Sequence, residues 1–362
     1  AGQAYAIRAL CYLNLATWFS RAPYNSLTGA SRWNEPCVPV YTTGTSIDTG
    51  GQPRESLRTV YGRIDQDIDR AIELLEKARE TTLAENNKSH INLYVALGIK
   101  SRACLAEGDW DGAFKAAKRV IDEGGYAVGT KSDLTSGMNS LDKQNVMWGA
   151  GIQVADQAGG YAGFFTHMDN KEGAYAKSAP KLISKQLYNR ISATDIRRDW
   201  WDPSDKESPY VSKKFSFANV ASFLGDYIYM RVEEMYFIEA EAKAHENLGE
   251  GIRLLNEFMN NYRIVGGGYD CTNMSSSVEN FTNELMLQKR IEFWGEGIVM
   301  FDMKRLDMST RRGYVGTNSP ASYRLNTEGR APYWNFVISR GETQNNPVIA
   351  TQNLSLIHIS EP

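Results

Sequence analysis

Apolar residues recur at helical spacing from the first positions of the chain: Ile7, Leu10, Cys11, Leu15 and Trp18 share one face. The run Arg21-Ala22-Pro23-Tyr24 closes that helix, because a residue followed by proline avoids the α region. Pro23, Pro36, Pro39 and Pro53, with several glycines, predict an irregular segment over 21–53. Ser56 stands where an N-cap is expected, and Leu57, Val60, Tyr61, Ile64, Ile68, Ala71 and Leu75 then line one face of a second helix. A third helix is predicted from Ile91 to Glu107; Gly108 ends it, and Asp109 caps a fourth that runs to about Asp122. The turn Glu107-Gly108-Asp109-Trp110, followed by Ala113, Ala116 and Ala117, has the small-residue packing of tetratricopeptide units. A second such pair joins 229–246 to 249–263 through Gly249 and Gly251, and a last helix or helix pair fills 276–305. With about a hundred residues between the two pairs, no regular tandem array is expected.

The stretch 124–226 breaks this pattern. Val146-Met147-Trp148 fits a short strand, and Lys181 to Arg190 a helix leading to Thr194-Asp195-Ile196-Arg197-Arg198. The stretch is rich in Gly, Ser and Asp, yet it holds Trp148, Tyr161, Phe164, Phe165, Tyr175, Tyr188, Trp200, Trp201 and Tyr210. Disordered segments are poor in aromatic residues. The expectation is therefore an ordered, loop-built layer carried by a helical scaffold, where binding residues tend to lie. Beyond Leu306 the chain is irregular to Asn353.

Composition narrows the function classes. The 362 residues carry 40 basic and 43 acidic side chains, a net charge of −3, so no basic excess points to nucleic acid. No apolar run reaches the about 18 residues that cross a bilayer. His90, His167 and His245 are scattered, and Cys11, Cys37, Cys104 and Cys271 form no metal-binding spacing; no cofactor and no metal is expected. Cys11 and Cys104 sit in apolar helical stretches and are read as small hydrophobes. Arg231, Glu234, Glu241, Arg290, Glu292, Glu296 and Asp302 would suit acid–base catalysis, but they recur at helical spacings among apolar residues. That spacing predicts paired charges bridging packed helices, with Arg231, Glu234 and Glu241 on one helix, and no catalytic residues are assigned.

Several segments together resemble the SusD/RagB family of surface glycan-capture lipoproteins of gut-type Bacteroidota. They are Arg8 through Tyr24; Arg54 through Leu75, with Tyr61, Ile64, Asp67 and Ala71 in step; Gly108 to Ile121; and Arg231, Glu234, Ala240, Glu241 and Ala242. Gln288-Lys289-Arg290-Ile291-Glu292 with Gly297 to Asp302 come next, and Val337 to Glu342 with Asn346-Pro347 and Gln352-Asn353 close the series. Two positions depart from the family pattern: Gln288 stands where an acid is usual, and the arginine usual between Gly297 and Phe301 is absent. The resemblance implies an all-α fold, a tetratricopeptide-like helix-pair scaffold with a large loop-rich insertion. It implies oligosaccharide binding at the outer-membrane surface and delivery to a SusC-like TonB-dependent transporter, without catalysis. The membrane would be reached only through an N-terminal lipid anchor that precedes this sequence. A tetratricopeptide scaffold for a protein or peptide is the alternative.

The layout expected is a single unit over 1–353, with scaffold at 1–123 and 227–305, ligand layer at 124–226 and an irregular segment at 306–353. The chain is read as N-terminally truncated, since it opens inside a helical pattern, and residues 354–362 read as a translated sequencing adapter foreign to the fold. Glycan binding calls for flat apolar ring faces beside amides and charges. On loop placement alone, the candidate binding residues are Trp33, Asn34, Tyr161, Phe164, Phe165, Asn170, Trp200 and Trp201, while Trp18, Trp110 and Trp294 are read as structural.

Overall fold

Small residues let the first helices sit close together. The computed structural model describes residues 1–46, 48–81, 87–154 and 162–349. Helix α1 (Gly2–Phe19) turns Gly2, Ala6, Ala9 and Ala16 against α2 (Leu57–Thr81), where Val60, Ile64 and Ile68 are fully buried. Arg8 clamps the pair by a two-pronged bond to the buried Asp67, 2.7 Å on each prong. The hydroxyl of Ser56 accepts the Thr59 amide, the N-cap expected for α2. Helices α3 (Leu93–Glu107) and α4 (Trp110–Glu123) form the predicted hairpin. Gly108 sits at φ 80°, and a Cβ there would lie 2.5 Å from the Tyr24 ring, so only glycine fits this C-cap. Asp109 accepts the Gly112 amide and starts α4.

The chain then leaves the scaffold. Helix α5 (Lys131–Leu134), strand β1 (Val146–Ala150) and the short helices α6 (Phe164–Met168), α7 (Ala174–Ser178) and α8 (Lys185–Tyr188) lead to a small antiparallel pair, β2 (Trp201–Asp202) with β3 (Val211–Ser212). The helix predicted from Lys181 to Arg190 shrinks to the single turn of α8. Strand β4 (Tyr227–Arg231) returns to pair antiparallel with β1, bulged around Trp148. The expected helix from 229 therefore begins at α9 (Glu233–Glu246), because 227–231 extends to meet β1. Helix α10 (Leu248–Tyr262) starts after the one-residue turn Asn247, whose side chain caps it. Gly249 and Gly251 lie inside α10 rather than in the turn. Gly251 is required for contact: a Cβ there would lie 2.4 Å from that of Ala244.

Helices α11 (Val278–Glu292) and α12 (Val299–Arg305) resolve the last predicted segment as a pair, and α13 (Arg340–Asn345) lies in the irregular C-terminal stretch. The layers correct the view of two separated hairpins. Helix α4 packs directly on α9, so α1–α2, α3–α4 and α9–α10 stack as consecutive pairs and the loop-rich stretch is an excursion from a continuous helical pile. The fold is thus all-α, with only two small sheets among the described residues.

One core lies within the pile; a second gathers Phe237, Phe258 and Phe281 of α9–α11 with Phe293 just beyond α11. The excursion brings cores of its own. Trp200, Trp201, Ile183 and Ile191 meet Ile291, and Phe165, Phe215 and Phe217 form another cluster. Cys104 is buried as expected, whereas Cys11 is exposed; all four cysteines are free thiols. Among the described residues no helix is long and apolar enough to cross a membrane.

Candidate functional site

A buried ionic hub fixes the loop-rich layer to the scaffold. Glu292, at the end of α11, accepts from Arg231 Nη1 at 2.7 Å, from Arg263 at 2.8 and 2.9 Å and from Arg197 at 3.2 Å. Arg197 also holds Asp195 and Gln288, at 2.7 and 2.6 Å. Glu296 receives Arg231 at 2.8 and 2.9 Å and Lys214 Nζ at 2.5 Å. Lys214 donates further to the carbonyls of Glu292 and Trp294. Arg197, Lys214, Arg231, Arg263 and Glu292 are at most 1% exposed.

Burial alone would raise the Glu292 carboxyl, but Arg263, Arg231 and Arg197 outweigh it and hold it well below the usual carboxylate range. Burial lowers the Lys214 ammonium to about 8 against the pull of Glu296. A second group joins Glu241 and Asp302 to Lys289 and Arg305, and Arg102 holds Glu234 at 2.6 Å. Six of the seven motif charges are therefore paired across elements, as their spacing predicted; Arg290 is exposed and makes no ion pair among the described residues. Arg231, however, reaches the hub from β4 and not from a helix. Gln288 takes the place of the family's acid by accepting from Arg197, and it also donates to Glu284.

On this anchored layer a row of aromatic side chains comes to the surface. Tyr229 of β4 is 45% exposed and meets Trp148 of β1 edge-on, ring centres 5.0 Å apart. Two residues earlier, the Tyr227 hydroxyl accepts the Phe164 amide at 3.3 Å, and the two rings stand 6.0 Å apart. Phe164 opens α6, and His167 of the same helix stacks in parallel on Tyr175 of α7, with centres 4.5 Å apart and planes 3° off parallel. His167 and Tyr175 are both exposed.

The turn joining α6 to α7 is held from within. Asp169, 2% exposed, accepts the amides of Lys171 and Glu172 at 2.9 Å and that of Phe217 at 3.0 Å. Asn170 accepts the Lys181 amide and donates to the carbonyls of Lys181 and Ser212. Polar groups flank the row: Ser89 accepts the Gly151 amide, His90 is exposed, and Asp226 accepts the amides of Leu141 and Ile152.

The residues expected to bind divide sharply. Trp200 and Trp201 are 1% and 2% exposed, and Trp200 Nε1 donates to the Leu134 carbonyl; they are core, because the layer is thick enough to need its own apolar filling. Phe165 is core for the same reason, 2% exposed against Phe217. Asn170 is a bracket between two backbone segments. Phe164 stays half-buried within the row. Trp33 packs edge-on against Tyr61 under the Arg58 guanidinium, on the scaffold, and Asn34 beside it is exposed. Tyr161 and residues 354–362 lie outside the described residues.

Trp110 is structural as read, stacked on His245 at 3.8 Å, but Trp18 is 39% exposed beside Phe336. Tyr229 escaped the sequence reading, which places it in a helix; the alternating Tyr227-Ile228-Tyr229 was the available signal for a strand. His167 stands out in the sequence as a histidine of the aromatic loop, able to hydrogen-bond a ligand but more simply read as solvated.

Two concave features do not compete with the row. A cleft of about 80 Å³ under α1, lined by Leu13, Tyr61, Ile238, Lys304 and Arg305, is far below the about 300 Å³ of ordinary ligand pockets. An open groove of about 460 Å³ beside α10 is lined by Asn256 and Asn260, whose side-chain amides already bond the backbone of Tyr269 and Cys271. Among the described residues no group of three or more His, Cys, Asp or Glu side chains is placed to hold a metal ion.

The sequence model of the SusD family matches residues 167–353, just over half of the chain. A SusD-like carbohydrate binding protein from Bacteroides vulgatus shares 27% identity, with a TM-score of 0.77 over 96% of this chain and 76% of that one. A SusD superfamily protein from Bacteroides thetaiotaomicron shares 22% identity, with a TM-score of 0.75 over 98% of this chain and 77% of that one. The surface glycan-binding protein A from Bacteroides uniformis has the same fold at 18% identity, with a TM-score of 0.67 over 97% of this chain and 77% of that one. No curated protein matches the chain.

Proposed function

The chain belongs to the SusD family, and on that premise we propose that it captures oligosaccharides without transforming them. The observation that carries this reading is the two aromatic pairs at the surface, Trp148–Tyr229 and His167–Tyr175, linked by the half-buried Tyr227 and Phe164 on an anchored layer. Sugar rings offer CH faces that settle on aromatic faces, and their hydroxyls find partners among neighbouring amides, carboxylates and ammonium groups. The 27%-identical relative named for carbohydrate binding supports the ligand class. The motif carboxylates Glu234, Glu241, Glu292, Glu296 and Asp302 are each tied to a cation, which favours capture over turnover.

In the fuller reading the protein sits on the outer-membrane surface by an N-terminal lipid anchor and passes its ligand to a SusC-like TonB-dependent transporter. Incubation of the protein with a glycan panel, followed by binding and product analysis, tests the core of the reading. Retention with no shortened products is expected. Reproducible release of shorter sugars by pure protein would move the assignment to a hydrolase.

A further inference from the structure

Resting on the glycan-binding reading, we propose that the His167–Tyr175 end of the row is a subsite for an acidic sugar unit, one bearing a carboxylate or a sulfate. The rings form the flat part of the subsite, parallel within 3° and both exposed. The charges around them are not balanced at the surface. Lys171 lies in the turn between the two rings and Lys177 on the helix that carries Tyr175, with side chains 89% and 54% exposed. Their shared carboxylate, Glu172, stands 3.9 and 3.7 Å from the two ammonium groups, outside the about 2.7–2.9 Å of a close charged hydrogen bond.

The other carboxylate of the turn, Asp169, points inward to three backbone amides and is 2% exposed. One partly exposed carboxylate thus serves two exposed ammonium groups in the segment that carries the stacked rings. The Trp148–Tyr229 end differs: Arg102 is held by Glu234, Asp226 by backbone amides and Lys88 by the Lys143 carbonyl. A neutral sugar would use the rings at either end. An acidic unit would gain from the lysines at one end only, which fixes the direction in which a chain lies along the row.

Calorimetry on the full chain tests this with size-matched probes: an oligogalacturonate, a sulfated galactan oligosaccharide, and neutral malto- and xylo-oligosaccharides, each at low and high salt. The parent is expected to prefer an anionic probe to neutral ones by about tenfold, with that preference shrinking as salt screens the ammonium groups. Binding of the oligogalacturonate alone assigns a carboxylate, and of the sulfated probe alone a sulfate. In K171Q/K177Q the ratio of anionic to neutral affinity should collapse, and K171R/K177R should restore it, with melting unchanged in both. An unaltered ratio in K171Q/K177Q, or a parent that binds neutral probes as tightly as anionic ones, overturns the subsite and leaves glycan capture standing. A parent that binds no saccharide of any class overturns both.

Discussion

Replacing Arg231 with alanine should cripple stability rather than recognition. The guanidinium makes five hydrogen bonds and ion-pair contacts at 2.7–3.1 Å to Glu292, Glu296 and Glu233, and it lies 4.5 Å over the Phe293 ring. It is 1% exposed, so water cannot replace it. After truncation Glu292 keeps Arg263 and Arg197, but Glu296 is left with Lys214 alone. Removing one partner of a buried pair costs about 3–5 kcal/mol, against about 1 kcal/mol or less for an exposed pair. At about 2–4 °C per kcal/mol for domains somewhat smaller than this chain, melting should fall by about 10 °C. Thermal unfolding followed by circular dichroism, with calorimetric titration of a bound glycan below the transition, separates the two effects. The fraction still folded should bind as the parent does. Unchanged melting with abolished binding would refute the argument and place Arg231 in the ligand site.

Three further outcomes are expected. Trp201→Ala should cost about 3–5 kcal/mol of stability, since a large core side chain is lost; melting like the parent's would return Trp201 to the surface. Tyr229→Ala should weaken glycan affinity about ten- to hundredfold by calorimetry with little change in melting, and normal binding would move the site off β4. Burial, then the charge of Asp65, raises the Glu107 carboxyl to about 8, and burial with Asp69 raises Asp65 to about 6. The folded chain thus keeps protons that the unfolded chain releases above about pH 4.5, so this pair's contribution to stability declines as pH rises towards 8. Glu107→Gln should gain on the parent in melting temperature between pH 5 and pH 8.5, and a pH-independent difference would rule the pair out.

How much of this was legible in the sequence depends on how local the cause was. Gly108 and Asp109 announced the α3–α4 turn because a C-cap and an N-cap act within a few residues. The ionic pairing was legible too, since charges among apolar residues at helical spacing must find partners. The partners themselves were not, because Arg197, Arg231 and Arg263 converge on Glu292 from separate elements. Trp200 and Trp201 misled for a related reason: loop-like sequence says that backbone is irregular, not that it is thin. Here Ile183, Leu187 and Ile191 close over the two rings. Tyr229 reads as part of a helix because its strand exists only by pairing with β1, some eighty residues earlier. The stacking of α4 on α9 was hidden for the same reason.

The hub also separates two demands that usually compete in a recognition protein. Arg197, Lys214 and Arg231 pin the loop-rich layer at a few points, all tied to the end of α11 or to Glu296 just beyond it. The exposed side chains of the α6–α7 segment, such as Lys171 and Lys177, make no bond to those pins. Exposed side chains there can be exchanged while the pins and the buried Phe165 and Asp169 stay in place. A library confined to the exposed positions of 162–180, with Phe165, Asp169 and Asn170 kept, would therefore vary the surface of this layer on an unaltered frame.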